Sequence, residues 1–348
     1  MYTGAKGKEL EIFDLLDKMS NKDELISTFE NELRGNEYAN IQDRMLDIEN
    51  VFDNSYNKLK HEELYTKESL KIGAIVRKSE AEYKNAALND YEVNTIGATI
   101  LKEYDHLKYG CKSNLHLGFA QSKFDFTDRD SLEKVYSLNI GAGYEDYIDG
   151  QNSLKWYLDG DILINYHEMD RKLNISGSQY SNEGKYWSGT AMIKNKIRYE
   201  ILQNNEKINI GLFGTFNLGY GKFEKFKEKG DGVELALQSN DMYIVRPGVG
   251  TDITLNKYTD NGKISLKGKL TAEYELGEVY DGANKAKIKN SSAQYYSLEK
   301  PKKMKEIINV GAEVKYETRE GHAVSFEIAR EEGRRDSMKY GINLIYKF

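Results

Sequence analysis

From Leu70 to the end of the chain, apolar and polar residues alternate with a period of two. The clearest stretch begins at Ile264, where every second position is apolar and most positions between are charged or polar. The apolar set is Ile264, Leu266, Leu270, Ala272, Tyr274 and Leu276, and the opposing set is Ser265, Lys267, Lys269, Thr271, Glu273 and Glu275. This pattern predicts β-strands that have one apolar face and one charged face.

Runs of this kind recur often enough to predict twelve strands, which is an even number. They lie near residues 70–79, 91–103, 108–122, 134–146, 154–167, 189–202, 207–221, 242–256, 263–277, 307–317, 323–330 and 338–348. Most reach the roughly 9 to 11 residues that a tilted strand needs to cross a bilayer. The second run is the least regular, because Val93, Ile96, Ile100 and Leu101 fall on both faces.

The connections between the predicted strands alternate in length. After even-numbered strands they are short and turn-like: EYDH, YIDGQNS, QNNE, KYTDNG and TREGH. After odd-numbered strands they are generally longer, as in segments 167–187, 222–241 and 277–306. Bacterial outer-membrane barrels have this asymmetry, with short periplasmic turns and long extracellular loops. A soluble sandwich or lipocalin-like barrel also alternates, but twelve strands with a charged inner face would leave its interior polar and unpacked.

Residues 8–60 have a helical period instead. Apolar residues recur at helical spacing in two short stretches, namely Ile12, Leu15, Leu16 and Met19, then Leu25, Ile26, Phe29 and Leu33. A third stretch, residues 36–60, places Ile41, Met45, Ile48, Phe52, Ser55 and Leu59 on one stripe. Most of its remaining circumference is polar and includes Asp43, Arg44, Asp47, Glu49, Asn50, Asp53 and Asn54. On periodicity alone, a solvated surface helix is the simpler interpretation.

Composition narrows the class of protein. Charged residues make up 30% of the chain, the mean hydropathy is -0.70, and no run of 18 apolar residues exists, so a helical membrane protein is excluded. A membrane β-barrel remains possible, because its strands face lipid only at alternate residues. The 26 Tyr, 30 Gly and only 2 Pro suit strands and membrane interfaces. The net charge of -6 does not indicate a positively charged surface for binding phosphates, so nucleic acid is not an expected partner.

The segment TFENELRGNEYANIQDRM resembles the sequence pattern that precedes the pore helix in autotransporters, the type Va secretion family. The matching positions are Phe29, Leu33, Gly35, Tyr38 and Ala39. Two positions depart from that family, which usually has Ser in place of Arg34 and an aliphatic residue in place of Glu37. The single polar helix followed by twelve strands, and a C-terminal Phe348 on an alternating aromatic strand, extend the resemblance to nearly the whole chain.

The resemblance implies an all-β fold with an N-terminal helix: a twelve-stranded antiparallel transmembrane β-barrel with a pore-spanning α-helix. Residues 1–35 would form a helical junction to the passenger, 36–69 the pore helix and linker, and 70–348 the barrel. A helix from about Asn36 to Lys60 would be about 37 Å long at 1.5 Å per residue, enough to cross a bilayer. The polar residues around this helix would then face the charged residues that line the lumen.

The resemblance also implies the function, which is insertion in the bacterial outer membrane with translocation and surface anchoring of an N-terminal passenger. In this family the passenger is often an adhesin, protease or toxin connected with virulence. The expected partners are outer-membrane lipids and lipopolysaccharide, periplasmic chaperones, the passenger, and the barrel-assembly machinery; the barrel is expected to be a monomer. The machinery would recognise the last strand by its side chains Tyr340, Ile342, Leu344, Tyr346 and Phe348. The first residues lack a signal peptide, so we expect one upstream.

No catalytic residue, cofactor or metal site is predicted. The five histidines are scattered without metal-like spacing, and the solitary Cys111 has no internal disulfide partner. For Asp125, Asp128 and Asp130, a solvated acidic loop is favoured over a divalent-cation site. Some autotransporters cut their pore helix at an Asn-Asn step; none stands in this helix, so Asp53 and Asn54 are only weak candidates. An outer-membrane protease or lipase barrel and a simple porin remain alternatives.

Overall fold

A computed structural model describes residues 8–60, 69–85, 87–106, 111–127, 129–148, 153–204, 207–280, 282–301 and 305–348. Its framework is twelve long strands, referred to below by their order in the chain. They are Ser69–Tyr83, Tyr91–His106, Cys111–Phe126, Leu132–Tyr147, Leu154–Ile175, Ser178–Asn204, Ile208–Phe223, Asn240–Thr259, Gly262–Tyr274, Glu306–Thr318, Ala323–Glu332 and Arg335–Lys347. The prediction of a twelve-stranded antiparallel barrel with an N-terminal helix is confirmed.

Each long strand pairs antiparallel with its neighbours in the chain, and the first strand pairs with the twelfth. This closing register runs from Lys71 opposite Lys347 to Tyr83 opposite Arg335. A closed barrel gives every long strand two partners, as a lipid environment demands, because an open edge would expose unpaired backbone groups. We call the end where the first strand begins and the twelfth ends the terminal end, and the other the far end.

Alternation along the strands separates an apolar outside from a polar inside. Outward side chains such as Leu266 and Phe326 are exposed, whereas inward Ser265 and Ser325 are buried. The irregular second strand follows the same rule, since Ile96 points outward with 59% exposure while Val93 and Leu101 are buried inside. Its two-sided apolar pattern arises because part of the inner wall packs against a helix rather than water.

The prediction that residues 167–187 form a loop is wrong. The fifth and sixth strands continue through this segment and meet at a two-residue turn, Ser176–Gly177, where φ is 50° and 79°. Positive φ at both positions matches the twist of a tight hairpin. This hairpin lies at the far end, beside a small sheet of Phe226–Lys227, Leu235–Leu237, Lys285–Ile288 and Tyr296–Ser297. The short strand Lys229–Gly230 pairs with the sixth strand.

The N-terminal region forms two short helices, Lys8–Asp17 and Lys22–Thr28, then a π-turn at Phe29–Leu33 and a 3-10 turn at Asn36–Tyr38. The pore helix follows as Ile41–Leu59. It begins later than the predicted Asn36, because Asn36–Tyr38 forms a separate 3-10 turn and the N-cap residue Asn40, with φ of -115° and ψ of 28°, leaves the helical conformation. Its 19 residues correspond to about 28 Å. In the described ranges, no helix combines the length and apolar character needed to span a membrane.

Candidate functional site in the barrel lumen

The pore helix lies inside the barrel and presses its apolar stripe against one wall. Met45, Ile48 and Phe52 are almost completely buried. They belong to one cluster with inward residues of the second to fifth strands, namely Val93, Leu101, Ala120, Phe124, Val135 and Leu163. Gly118 makes room for the helix on the third strand, because a Cβ there would collide with the rings of Phe52 and Tyr56. The apolar stripe of the helix is thus buried against the barrel wall.

Two aspartates on the far half of the helix contact the segment where the barrel closes. Arg335 donates to both carboxylate oxygens of Asp47, one at 2.9 Å, and Tyr91 donates to the same carboxylate at 2.6 Å. Asp43 pairs with Arg334 and accepts hydrogen bonds from Tyr83 and Tyr280, both at 2.8 Å. A buried carboxylate needs such partners, because desolvation otherwise strongly disfavours its charge.

Arg44 makes the corresponding contact with the fourth strand. Its Nε lies 2.6 Å from Oε2 of Glu133, and both side chains are fully buried. Tyr186 donates to Oε1 of Glu133, and the ring of His167 lies 3.1 Å from the same oxygen. His167 also contacts the Ser188 hydroxyl at 2.7 Å. This network joins the helix to the fourth, fifth and sixth strands.

Nearer the terminal end, lysines mediate the contacts. Lys194 of the sixth strand lies between Glu49 at 2.7 Å, Asp53 at 3.2 Å and Asp161 at 3.1 Å. At the end of the helix, Lys58 pairs with Glu327, and Lys60 pairs with Asp159 at 2.7 Å. Contacts with several strands hold the helix along its length.

The structure therefore places five predicted polar residues of the helix against charged groups of the wall: Asp43, Arg44, Asp47, Glu49 and Asp53. The other two, Asn50 and Asn54, are half-buried and follow Asp43 and Asp47 on the same face of the helix, nearer the terminal end. Sequence reasoning missed the wall partners Glu133, Lys194, Arg334 and Arg335, and the helix-end residues Lys58 and Lys60. The alternation marks inward positions, but nothing in it shows which of them face the helix.

The lumen is unequally filled. Asn50, Asp53, Asn54 and Asn57 recur at one-turn spacing on the helix and are half-buried or exposed. Opposite them, many inward residues of the eighth to eleventh strands are partly exposed, such as Asp252, Lys269 and Glu313, whereas those of the first three strands are nearly all buried. Towards the far end this space is bounded by the buried side chains of Met242, Ile244 and Ile307. A solvated space thus remains beside the terminal half of the helix.

A polar cap covers the far end of the lumen. Arg171 donates twice to the Glu228 carboxylate, at 2.7 and 2.8 Å, and Tyr38 donates to it at 2.7 Å. Glu37 is fully buried next to this group. Burial raises the pKa of the Glu37 carboxyl above its usual value, and the guanidinium groups of Arg171 and Arg129 partly oppose that rise.

The first helix rests on the protruding hairpin. Its buried side chains Ile12, Phe13 and Leu16 pack with Leu173 and with two other apolar residues, Ile175 and Val233. The chain that leads to the pore helix is therefore seated at the far end, outside the barrel wall.

The predicted assembly-signal residues all point outward on the twelfth strand. Tyr340, Ile342, Leu344, Tyr346 and Phe348 are between 40% and 67% exposed. The ring of Tyr346 lies between that of His322, 4.3 Å away, and that of Phe348, 4.7 Å away. The backbone N–H of Phe348 donates to the Leu70 carbonyl at 3.0 Å, so the last residue takes part in closing the barrel.

The remaining candidates occupy scattered positions. Asp125 pairs with its neighbour Lys123 at 2.7 Å, Asp130 lies at the rim of a surface pocket at the far end, and Asp128 lies outside the described residues. His116 packs on Tyr56 of the pore helix, with ring centres 4.0 Å apart. Cys111 is buried.

Comparisons with known proteins agree with this architecture. The family model of the autotransporter beta-domain matches residues 74–329. The chain resembles the translocator domain of the autotransporter NalP from Neisseria meningitidis with a TM-score of 0.66 and 13% identity, covering 89% of this chain and 99% of that one. No curated protein sequence matches the chain significantly.

Two further solved structures share the fold. The β domain of the Bordetella autotransporter BrkA has a TM-score of 0.54 and 12% identity, covering 80% of this chain and 98% of that one. The transport unit of the autotransporter AIDA-I from Escherichia coli has a TM-score of 0.50 and 10% identity, covering 88% and 99%.

Proposed function

Because the chain belongs to the autotransporter β-domain family, we propose that its barrel carries an N-terminal passenger to the cell surface and then anchors it there through the pore helix. The protein is a translocator domain of the bacterial outer membrane. In such barrels the short turns face the periplasm, which assigns the terminal end to the periplasm and the far end to the cell surface. The chain preceding the pore helix is then extracellular.

The ion-paired pore helix is the observation that carries this proposal. A helix held only by apolar packing could slide along the lumen, whereas the pairs at Asp47, Arg44 and Lys58 fix it to separate strands. Removing one partner of a buried pair leaves an uncompensated charge, so withdrawal of the helix is costly. The helix therefore suits both an anchor for the passenger and a plug for the pore.

The outer surface supports contact with the outer leaflet. An aromatic girdle near the far end includes Tyr166 and Trp187, with ring centres 5.0 Å apart. Beyond it lie exposed charged pairs such as Lys185 with Glu183 at 2.7 Å. Aromatic rings favour the membrane interface, and lysines beyond them suit the phosphates of lipopolysaccharide. We propose lipid and lipopolysaccharide as the surrounding partners of a monomeric barrel.

Delivery and insertion are proposed to need periplasmic chaperones and the barrel-assembly machinery, with the twelfth strand as the recognition signal. An adhesin is one kind of passenger that this family anchors. Translocator domains of the family are generally not enzymes, and we propose no catalytic step for this barrel. A simple porin is disfavoured, because the helix occupies the lumen and is joined to the wall by buried ion pairs.

Surface display of a tag tests the proposal. A signal peptide and an epitope tag are placed before residue 1, and intact cells are treated with a protease. We expect the tag to be removed from the surface while the barrel survives. A variant that lacks residues 36–60 should still insert, as heat-modifiable gel mobility would show, but should expose less of the tag at the cell surface. A tag that remains protected in intact cells, on a correctly inserted barrel, would contradict the proposal.

A further inference from the structure

A small cavity lies between the terminal half of the pore helix and the third to sixth strands. Its volume is about 10 Å³, which is about the smallest space that holds one water molecule. Three buried uncharged side chains line it: Tyr56 of the helix, His116 of the third strand and Asn139 of the fourth. In the described ranges, the Tyr56 hydroxyl, His116 Nε2 and Asn139 Oδ1 have no hydrogen-bond partner. Buried polar atoms almost always have one, so these three atoms point to a ligand.

The three side chains converge on one patch of the barrel wall. The Tyr56 hydroxyl lies over Gly118 and Nε2 of His116 lies over Gly141, since a Cβ at either glycine would collide with that atom. In the register of the third and fourth strands, Gly118 is opposite Asn139 and Gly141 is opposite His116. The two glycines thus make room for the three polar side chains on neighbouring positions of two paired strands.

The hydrogen-bonding capacity of these atoms matches one water molecule. Nδ1 of His116 lies 3.3 Å from Oδ1 of Asn114. Because that oxygen can only accept, Nδ1 carries the proton of the neutral ring and Nε2 is an acceptor. The Asn139 amide nitrogen donates to Asp161 at 3.4 Å, which leaves its Oδ1 as a second acceptor, and the Tyr56 hydroxyl can donate. Water can donate to both acceptors and accept from the hydroxyl, and buried waters typically make about three hydrogen bonds.

The charged residues around the cavity favour a neutral ligand over an ion. Nζ of Lys194 lies within 3.2 Å of the carboxylates of Glu49, Asp53 and Asp161, and so occupies the place that a cation would take. Nζ of Lys60 lies 2.7 Å from a carboxylate oxygen of the fifth strand. Carboxylates outnumber ammonium groups here, so the local charge disfavours an anion. Among the described residues, no three His, Cys, Asp or Glu side chains are grouped to hold a metal ion.

From this arrangement we propose that the cavity binds one ordered water molecule, which accepts a hydrogen bond from Tyr56 and donates to His116 and Asn139. The water joins the helix to the third and fourth strands through uncharged groups, in addition to the ion pairs that hold the helix elsewhere. The site does not depend on a passenger or on transport, so it goes beyond the proposed function and is tested separately from it.

Crystals of the full-length chain in detergent test the site directly, at a resolution that shows ordered waters. We expect an isolated density peak within about 3.2 Å of the Tyr56 hydroxyl, His116 Nε2 and Asn139 Oδ1. Crystals soaked in thallium(I) or manganese(II), which substitute for monovalent and divalent cations, should give no anomalous peak at this position. The absence of density there, or an anomalous peak from either cation, would overturn the proposal.

A double-mutant cycle measures the water bridge in the membrane. Tyr56→Phe and Asn139→Leu each remove hydrogen-bonding groups and keep a side chain of similar size. Urea unfolding in large vesicles gives the unfolding equilibrium constant. Either variant breaks the same bridge, so the effect of both together should be about fivefold smaller than the product of the single effects.

Ser137→Ala is the matched control for Asn139→Leu. Ser137 is buried and inward on the same strand but does not line the cavity. Its effect should multiply with that of Tyr56→Phe to within about twofold. Equal coupling in the two cycles, or no coupling between Tyr56 and Asn139, would overturn the shared water. Loss of surface display with this coupling intact would count against the proposed function and not against the water site.

Discussion

Asp47 in the middle of the pore helix and Arg335 at the start of the last strand form a buried two-point ion pair. The pair joins the helix to the strand that closes the barrel against its first strand. Helix position and barrel closure are therefore linked through one contact.

Asp47→Asn should destabilise the protein by about 3 to 5 kcal/mol, because it leaves the buried Arg335 guanidinium with only Glu331, 3.9 Å away, as a charge partner. Urea unfolding in large vesicles measures the free energy. Asp47→Leu combined with Arg335→Met should recover most of the loss, because apolar side chains tolerate burial. The control Glu183→Gln breaks an exposed pair and should cost less than about 1 kcal/mol. Equal losses for Asp47→Asn and Glu183→Gln would contradict the assigned role.

Gly118→Ala should displace the pore helix, because the added Cβ meets the rings of Phe52 and Tyr56. Overpacking of this kind costs about 1 to 3 kcal/mol. Limited proteolysis of the helix reports its displacement. Gly160→Ala is the control, since its Cβ would only touch the Met192 carbonyl at 3.8 Å. Phe52→Leu should partly rescue Gly118→Ala, and failure of that rescue would argue against a steric cause.

Glu37→Gln should stabilise the barrel at neutral pH. Burial raises the pKa of the Glu37 carboxyl, so the folded state binds its proton more readily than the unfolded state. The folded protein therefore gains stability as the pH falls through the raised pKa and carries the cost of a buried charge above it. Thermal midpoints at several pH values should show a gain for Glu37→Gln at pH 8 that shrinks near pH 4.5. A uniform gain at every pH would point to packing instead.

Deleting residues 1–60 should increase single-channel current in planar bilayers, because the helix occupies the lumen. Deleting only residues 1–20 should leave the current low, because the buried helix contacts remain. If both deletions conduct like the full chain, the helix is not the element that restricts current.

Deleting Phe348 should sharply reduce insertion in cells while the chain still folds slowly into detergent. Its ring is 67% exposed, so the loss of burial alone would cost only about 1 to 3 kcal/mol; a larger defect in cells indicates recognition by the assembly machinery. Phe326→Ala, at a similarly exposed position, controls for lost apolar surface. Surface proteolysis of an attached tag measures insertion. Equal insertion of the truncated and full-length chains would mean that Phe348 contributes only packing and is not recognised by the assembly machinery.

The alternation of apolar and polar residues predicted the strands and the apolar face of each, and the lengths of the connections with the family resemblance predicted the barrel. A strand in a membrane wall must present apolar groups to lipid at every second position. The pattern from Ile264 to Leu276 therefore shows which side chains of this strand face the lipid. The helical spacing of Ile41, Met45 and Phe52 likewise predicted a helix, but only the family resemblance placed that helix in the pore. Both signals are local, since each depends only on the geometry of one element.

Contacts between elements needed the tertiary structure. Arg335 and Glu133 are charged residues on inward faces, and only strand order and register show that they meet Asp47 and Arg44 of the helix. The hairpin at Ser176–Gly177 was missed because its strands continue beyond the membrane, where no lipid enforces a simple apolar face. The sequence by itself determined which residues face lipid, because that depends on a repeating environment. Only the fold decided that the helix packs against one wall and leaves Lys269 exposed in the lumen, because that depends on side chains brought together from distant strands.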